Sequence, residues 1–371
     1  MPGKNKAQKS KKPRPSAKPT ARRAPAPAAA DSAVTLEEAK ALVRARSPQH
    51  ALRRQRGPFP AASPRSVGEE RKKLQAERRQ ENERRIREYK ATLEIMKRRG
   101  VKGLESKEAK RRAPGATRMA APANQPLQIF AEGDSWFDYP IPFFGGGIIP
   151  RLENLLGVPV LNLAKAGDEV RFMLGVEERK ILVNQLTKGC PAGGPWDALL
   201  FSGGGNDIVA NPMALWVRDF DPSLAAKDLI HRARFDAALA LVRAGYEDLI
   251  AARDALSPGT HLIFHAYDFA IPDGRGVCFM GPWLKPTFDL RKFPVASARR
   301  REVVKTMLEQ FAAMLKKLET NNRITFLNGQ GTLAPVAGSW HNELHPSKDG
   351  FRKFATLFHG KLKTLFPGRV L

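Results

Sequence analysis

The chain predicts a three-layer α/β domain over residues 126–371, with a parallel sheet covered by helices on both faces. Three observations carry this. Five apolar runs of strand length, at 127–132, 158–163, 198–202, 261–266 and 323–328, are continuous rather than alternating, as strands buried on both faces must be. Amphipathic helical patterns stand between and after them, at about 147–156, 170–187, 223–256, 297–320 and 348–366. Small polar segments with glycines follow several of the strands, at the carboxyl edge where such sheets bind ligands.

The N-terminal third is different in kind. Of the 371 residues, 1–125 hold 34 Lys/Arg against 12 Asp/Glu, while 126–371 hold 29 against 25, so the net charge of +26 belongs to an appendage. Residues 1–66 read as a disordered basic tail rich in Pro and Ala, with one short helix from Thr35 to Arg46. Residues 67–99 read as a charged helical arm. Only Ile86, Tyr89, Leu93 and Met96 keep apolar spacing there, with Arg79 and Asn82 taking the positions upstream, so the expectation is a solvated arm whose last turns dock on the domain. Residues 100–125, with Gly100, Gly103, Pro114, Gly115 and Pro122, read as a linker.

Composition also excludes several classes. Cys190 and Cys278 are the only cysteines and have neither CxxC nor Cys/His spacing, so neither a metal nor a disulfide scaffold is expected. No run approaches the ~18 apolar residues of a membrane span, and the basic N-terminus lacks the apolar core of a signal peptide. The expectation is a cytoplasmic protein. A transit peptide stays open as an alternative, since no acid precedes Asp31.

The residues with chemistry sit where the fold class puts a site. Gly133-Asp134-Ser135 follows the first strand, Ala166-Gly167-Asp168 the second, Gly203-Gly204-Gly205-Asn206-Asp207 the third, and His341-Asn342-Glu343-Leu344-His345-Pro346 lies after the fifth. A serine hydroxyl needs a base within hydrogen-bond reach to act as a nucleophile, and the oxyanion it creates needs preorganised donors. Ser135 is the candidate nucleophile and His345 the base. The Ser135 N–H, the Gly167 N–H and the Asn206 amide are the candidate oxyanion donors.

Gly133-Asp134-Ser135, Gly167, Gly204-Gly205-Asn206-Asp207 and His345-Pro346, in this order and at these strand ends, resemble the blocks of the SGNH or GDSL-type serine hydrolases. The resemblance covers about residues 127–366. It implies a flavodoxin-like five-stranded sheet of order 2-1-3-4-5, and hydrolysis or transfer of ester-linked acyl groups with the roles just given. One departure matters: where the family usually carries an aspartate three residues before the histidine, this chain has Asn342. An asparagine can orient an imidazole but cannot stabilise the imidazolium by charge. Asn342 is taken as the third residue, with Glu343 and Asp268 as alternatives.

Other residues carry blander readings. His265, in an apolar strand, reads as a core histidine, and Asp134 and Asp207 as carboxylates that hold their own loops. Trp136, Phe137, Tyr139, Phe143 and Phe144 are candidates for an acyl pocket or for core. The loop 268–294 is long for an α/β connection and carries Phe269, Phe279, Trp283 and Phe288, so it is expected to cover the site. Trp136, Phe279 and Trp283 are the candidate substrate-binding residues.

The leading expectation is a serine hydrolase of carboxylic esters, needing neither metal nor cofactor, on a small-molecule or lipid-like ester. Acyl transfer and carbohydrate deacetylation are alternatives on the same fold. An alternative from another class is a protein that binds polyanions or an anionic surface through residues 1–125, without sequence specificity because that segment has few aromatics.

Overall fold

The five apolar runs form five strands: β1 (Ile129–Gly133), β2 (Val160–Asn162), β3 (Ala198–Ser202), β4 (His261–His265) and β5 (Ile324–Leu327). The computed structural model describes residues 35–46, 67–99, 126–140, 145–191, 193–277 and 280–370, and Ala33–Leu371 form one compact unit. Expectations about residues 1–34, 47–66 and 100–125, among them the disordered tail and the linker, lie outside the described residues.

All strand pairings are parallel and the order is β2-β1-β3-β4-β5, as the resemblance implied. Every residue of β1, β3 and β5 is buried, as strands covered on both faces must be, and in β1 this includes the charged Glu132. Pairing brings Gly133 opposite Ser202, and a Cβ on Gly133 would lie 2.6 Å from the Ser202 carbonyl oxygen. Only glycine allows this approach of β1 to β3, just before Ser135.

Ten α-helices occur among the described residues: α1 (Leu36–Arg46), α2 (Val67–Arg98), α3 (Ile148–Leu156), α4 (Val170–Met173), α5 (Val176–Lys188), α6 (Gly205–Ile208), α7 (Arg232–Leu256), α8 (Lys285–Leu290), α9 (Arg299–Lys316) and α10 (Lys348–Leu365). α3 and α10 pack on one another, while α4, α5 and α9 all contact α7. The two groups make the outer layers of the sandwich. The helix expected at 170–187 is broken at Leu174-Gly175, where the chain turns between α4 and α5. The one expected at 223–256 begins as a 3-10 turn, Ala226–Leu229, because Ile230 bridges to Val217 before α7 starts.

The main departure concerns α2. Its last turns do dock: Tyr89 is buried with its ring 5.8 Å from Trp196, Leu93 joins the same core, and Met96 packs on Leu36 and Ala39 of α1. The docked face continues upstream through Arg78, Asn82 and Arg85. These positions keep helical spacing with Tyr89, so the stripe is continuous with polar residues occupying its upstream half. Arg85 Nη1 donates to the carbonyls of Asn162 (3.1 Å), the last residue of the edge strand β2, and of Ala164 just beyond it (2.8 Å), and Nη2 to Asp138 Oδ2 (2.7 Å). The edge of the sheet is thus covered by the arm rather than left to pair with another chain.

Tyr89→Ala would remove a large side chain from this core and is expected to lower stability by about 3 kcal/mol. Urea unfolding of the full chain checks this. A loss below about 1 kcal/mol would mean that α2 adds little to the core.

Candidate functional site

Ser135 stands at the carboxyl end of β1, where the chain leaves the sheet in a tight turn. The Asp134 N–H donates to the Ser202 carbonyl (3.0 Å), and Phe137 and Asp138 N–H donate back to the Asp134 carbonyl (3.1 and 3.0 Å). Asp134 is buried, with Oδ1 accepting from the Trp136 N–H (3.0 Å) and the Ser202 hydroxyl (3.0 Å), and Oδ2 from the Tyr267 hydroxyl (2.5 Å). Its carboxylate therefore ties the Ser135 turn to β3 and to Tyr267 just past β4. Ser202 Oγ also lies 2.9 Å from His265 Nε2, so this core histidine backs the turn. Burial pushes Asp134 up to about 6 and His265 down to about 4.

The other half of the site is a tight loop before α10. The His341 N–H donates to the His345 carbonyl (2.8 Å), Trp340 bridges to Pro346, and Ser347 caps α10 by accepting from the Gly350 N–H. This loop delivers His345 Nε2 to 2.6 Å from Ser135 Oγ. Behind it, His345 Nδ1 lies 2.9 Å from Asn342 Oδ1.

The protonation pattern follows from counting donors. Asn342 Oδ1 also receives the backbone N–H groups of Leu344 and His345, both at 2.9 Å, so the atom there is oxygen and the amide cannot be reversed. Its Nδ2 donates to the Tyr139 hydroxyl (3.0 Å), which lies 2.5 Å from His341 Nδ1. An oxygen facing Nδ1 requires the proton there. Nε2 is then left as an acceptor for the Ser135 hydroxyl. Burial, with a smaller effect of His341, holds His345 down at about 3, so the imidazole is neutral.

Neither alternative third residue approaches the imidazole through its carboxylate. Glu343 is fully buried with each oxygen taken twice, Oε1 by the N–H groups of Gly274 and Lys285 and Oε2 by those of Trp283 and Leu284, at 2.6–3.0 Å. Asp268 accepts from the N–H groups of Phe269, Gly331 and Leu333 (2.7–2.8 Å). Both carboxylates hold loops.

Gly167 sits in the turn after β2 with φ +87°, where a side chain would be strained. Asn206 Nδ2 donates to the Asp168 carbonyl (2.9 Å), which joins the turn after β3 to the turn after β2, and Asp207 Oδ2 accepts from the Val170 N–H (2.9 Å). Ser135, Asn206 and His345 line one cavity of about 30 Å3, whose walls include Val209, Ala270, Leu308 and Leu344; Gly167 is not in its wall. A cleft of about 600 Å3 opens elsewhere, between α1, α2 and α3, with lining charges such as Lys40 and Glu153 or Arg85 and Asp138 paired across it.

Of the candidate aromatics, Trp136 lines the small cavity and packs at 4.9 Å on Phe354, with its indole N–H donating to the Leu344 carbonyl (3.2 Å). Phe137 is core, stacked on His265, and Tyr139 packs on the His345 ring at 4.6 Å. Phe143, Phe144 and Phe279 lie outside the described residues. The loop 268–294 is partly folded, containing α8, and brings the Trp283 ring edge-on to His345 at 5.7 Å. The sequence reading missed Ser202, Tyr267, and the pairing of Tyr139 with His341. Each lies in a plausible core or loop context, and nothing local marks it. Among the described residues no group of His, Cys, Asp and Glu has the arrangement of a metal site, and no helix is long and apolar enough to cross a membrane.

No family model and no curated protein matches the chain. Among solved structures it is similar to the lipase Lip_vut3 from a goat rumen metagenome (17% identity, 63% of this chain and 96% of that one, TM-score 0.42). It is also similar to an extracellular lipase from Streptomyces rimosus (16%, 63% and 99%, TM-score 0.42) and to phospholipase A1 from Streptomyces albidoflavus NA297 (13%, 64% and 99%, TM-score 0.40). At these identities and scores, what the site does has to be read from its own side chains.

Glu343→Gln would set an NH2 group against two of the four N–H donors. The expected result is a stability loss of about 2 kcal/mol, seen in thermal unfolding, with the residual folded fraction keeping the wild-type esterase rate. Unchanged stability with activity lost by orders of magnitude would instead make Glu343 the charge behind the base.

Proposed function

We propose that the protein is a serine hydrolase of carboxylic esters, with Ser135 as nucleophile, His345 as general base and Asn342 as the group that orients the base. The observation that carries this is the chain Ser135 Oγ, His345 Nε2, His345 Nδ1, Asn342 Oδ1, with contacts of 2.6 and 2.9 Å and its tautomer fixed by the two backbone donors on Asn342. Nε2 takes the hydroxyl proton as Oγ attacks the ester carbonyl. The negative charge on the carbonyl oxygen is met by the Ser135 and Gly167 N–H groups and by the Asn206 amide hydrogen not engaged by Asp168. His345 then protonates the leaving alcohol, and water attacks the acyl-enzyme by the same route in reverse.

An asparagine behind the base usually fails because its NH2 faces Nδ1 and imposes the wrong tautomer. Here the backbone donors keep the oxygen inward. What is lost is charge stabilisation of the imidazolium. The apolar walls and small volume of the cavity beside Ser135 favour a short acyl group. Trp136 and Trp283 are the binding residues, Trp136 in the cavity wall and Trp283 beside the base.

A fluorophosphonate probe is expected to label the wild type and not Ser135→Ala, and p-nitrophenyl acetate to be cleaved with a higher kcat/KM than the octanoate. Labelling that survives the substitution would end the nucleophile assignment.

The pH profile tests the base. The neutral imidazole is the active form, and a pKa lowered to about 3 keeps it neutral in mild acid, so activity at pH 5 should stay near its plateau. An ordinary imidazole at ~6.5 would be only about 3% neutral there. Asn342→Asp adds a negative charge next to His345, raises its pKa and should move the acid limb to higher pH. None of this shift in the variant would show that His345 is not the titrating base, and an acid limb near ~6.5 in the wild type would show an imidazole whose pKa burial does not lower.

A further inference from the structure

We infer that Arg78, on the N-terminal helix α2, is a positioning residue for the oxyanion side of the site, so that the helical arm is part of the catalytic unit; this rests on the reading of the site as a serine hydrolase. Arg78 is buried at 8% exposure and meets three carboxylates from three different places in the fold. Nη1 pairs with Asp168 Oδ2, Nε lies 3.0 Å from Glu178 Oε1 on α5, and Nη2 lies 3.9 Å from Glu132 Oε1 on β1.

Two of these acids flank the chemistry. Glu132 is the residue before Gly133-Asp134-Ser135 and is 2% exposed. Asp168 directly follows Gly167, and its carbonyl accepts from the Asn206 amide at 2.9 Å. One guanidinium therefore pairs with the turn that carries Gly167 and accepts from Asn206, and approaches without a hydrogen bond the strand that carries Ser135. A lysine offers a point charge rather than a planar fork and cannot span all three.

Arg78 supplies what this corner lacks. Burial drives both Glu132 and Asp168 toward the protonated form, and Arg78 is the first counter-effect for each. Without it the Asp168 carboxylate would turn toward solvent or take up a proton. Either change moves the Gly167 turn, whose φ of +87° and open surroundings leave the Asn206 amide on the Asp168 carbonyl as its other side-chain tie. Seven residues on, two helical turns away on the same face, Arg85 fixes the end of β2 and Asp138 in the same manner. The arm thus grips the sheet edge at two points, both next to residues of the site.

The test compares full-length wild type with Arg78→Met, Arg78→Lys, Asp168→Asn and the Arg78→Met/Asp168→Asn double variant. It measures kcat and KM on p-nitrophenyl acetate, thermal unfolding, and amide hydrogen exchange of the peptide spanning residues 163–170. Arg78→Met is expected to lower kcat about 100-fold with little change in KM, as a misplaced donor would, and to speed exchange in that peptide. Because the two residues act through one contact, the double variant should be no worse than the poorer single one. Arg78→Lys should fall between wild type and Arg78→Met, and it serves if the latter does not fold. Wild-type kcat in a folded Arg78→Met or Arg78→Lys chain, or losses that multiply in the double variant, would overturn the inference. A wild type with neither turnover nor Ser135 labelling would overturn the hydrolase reading instead. Hydrogen exchange would then decide this inference alone, with unchanged exchange in the 163–170 peptide overturning it.

Discussion

Buried carboxylates at the carboxyl edge of the sheet organise the site. A carboxyl group out of water must be answered by hydrogen-bond donors, and here those donors come from distant segments. Asp134 draws on Ser202 and Tyr267, Asp268 on Gly331 and Leu333, and Glu343 on Gly274 and on Trp283 to Lys285. Glu132 and Asp168 draw on Arg78 from outside the sheet domain's own sequence. Each acid fixes one loop against another, and their sum is a rigid rim around Ser135.

That arrangement explains why His345 has no carboxylate behind it. The acid nearest in sequence, Glu343, is fully committed to four backbone N–H groups that shape the loop around Trp283 and start α8. The orienting role falls to Asn342, which has two chemically different ends and uses both. Its oxygen collects three N–H donors, and its nitrogen continues to Tyr139 and His341. A neutral chain of this kind fixes direction without placing another charge in a corner already crowded with acids.

Much of this was legible beforehand. The five strands, their parallel pairing and the edge at which the site lies follow from apolar runs separated by amphipathic helices. Ser135, Asn206, Asn342 and His345 stand in short turns whose residue types already suggest their chemistry. Less legible was α2. Its docked stripe continues through Arg78, Asn82 and Arg85, and charged residues at helical spacing look the same in sequence whether they face water or buried acids. The same holds for Ser202 and Tyr267, whose hydroxyls meet Asp134, and for His265, which meets Ser202, only because β3 and β4 lie beside and beyond β1.

By itself the sequence determined the layer architecture and singled out Ser135 and His345, because these depend on periodicity and on local turns. Tertiary structure alone decided which residue stands behind His345, which carboxylates hold loops, and that a helix some fifty residues before Ser135 reaches Glu132 and Asp168. The physical reason is that a buried polar group is defined by its partner. Every decisive partner here, apart from Asn342 beside His345, lies on a different element that only folding brings within reach.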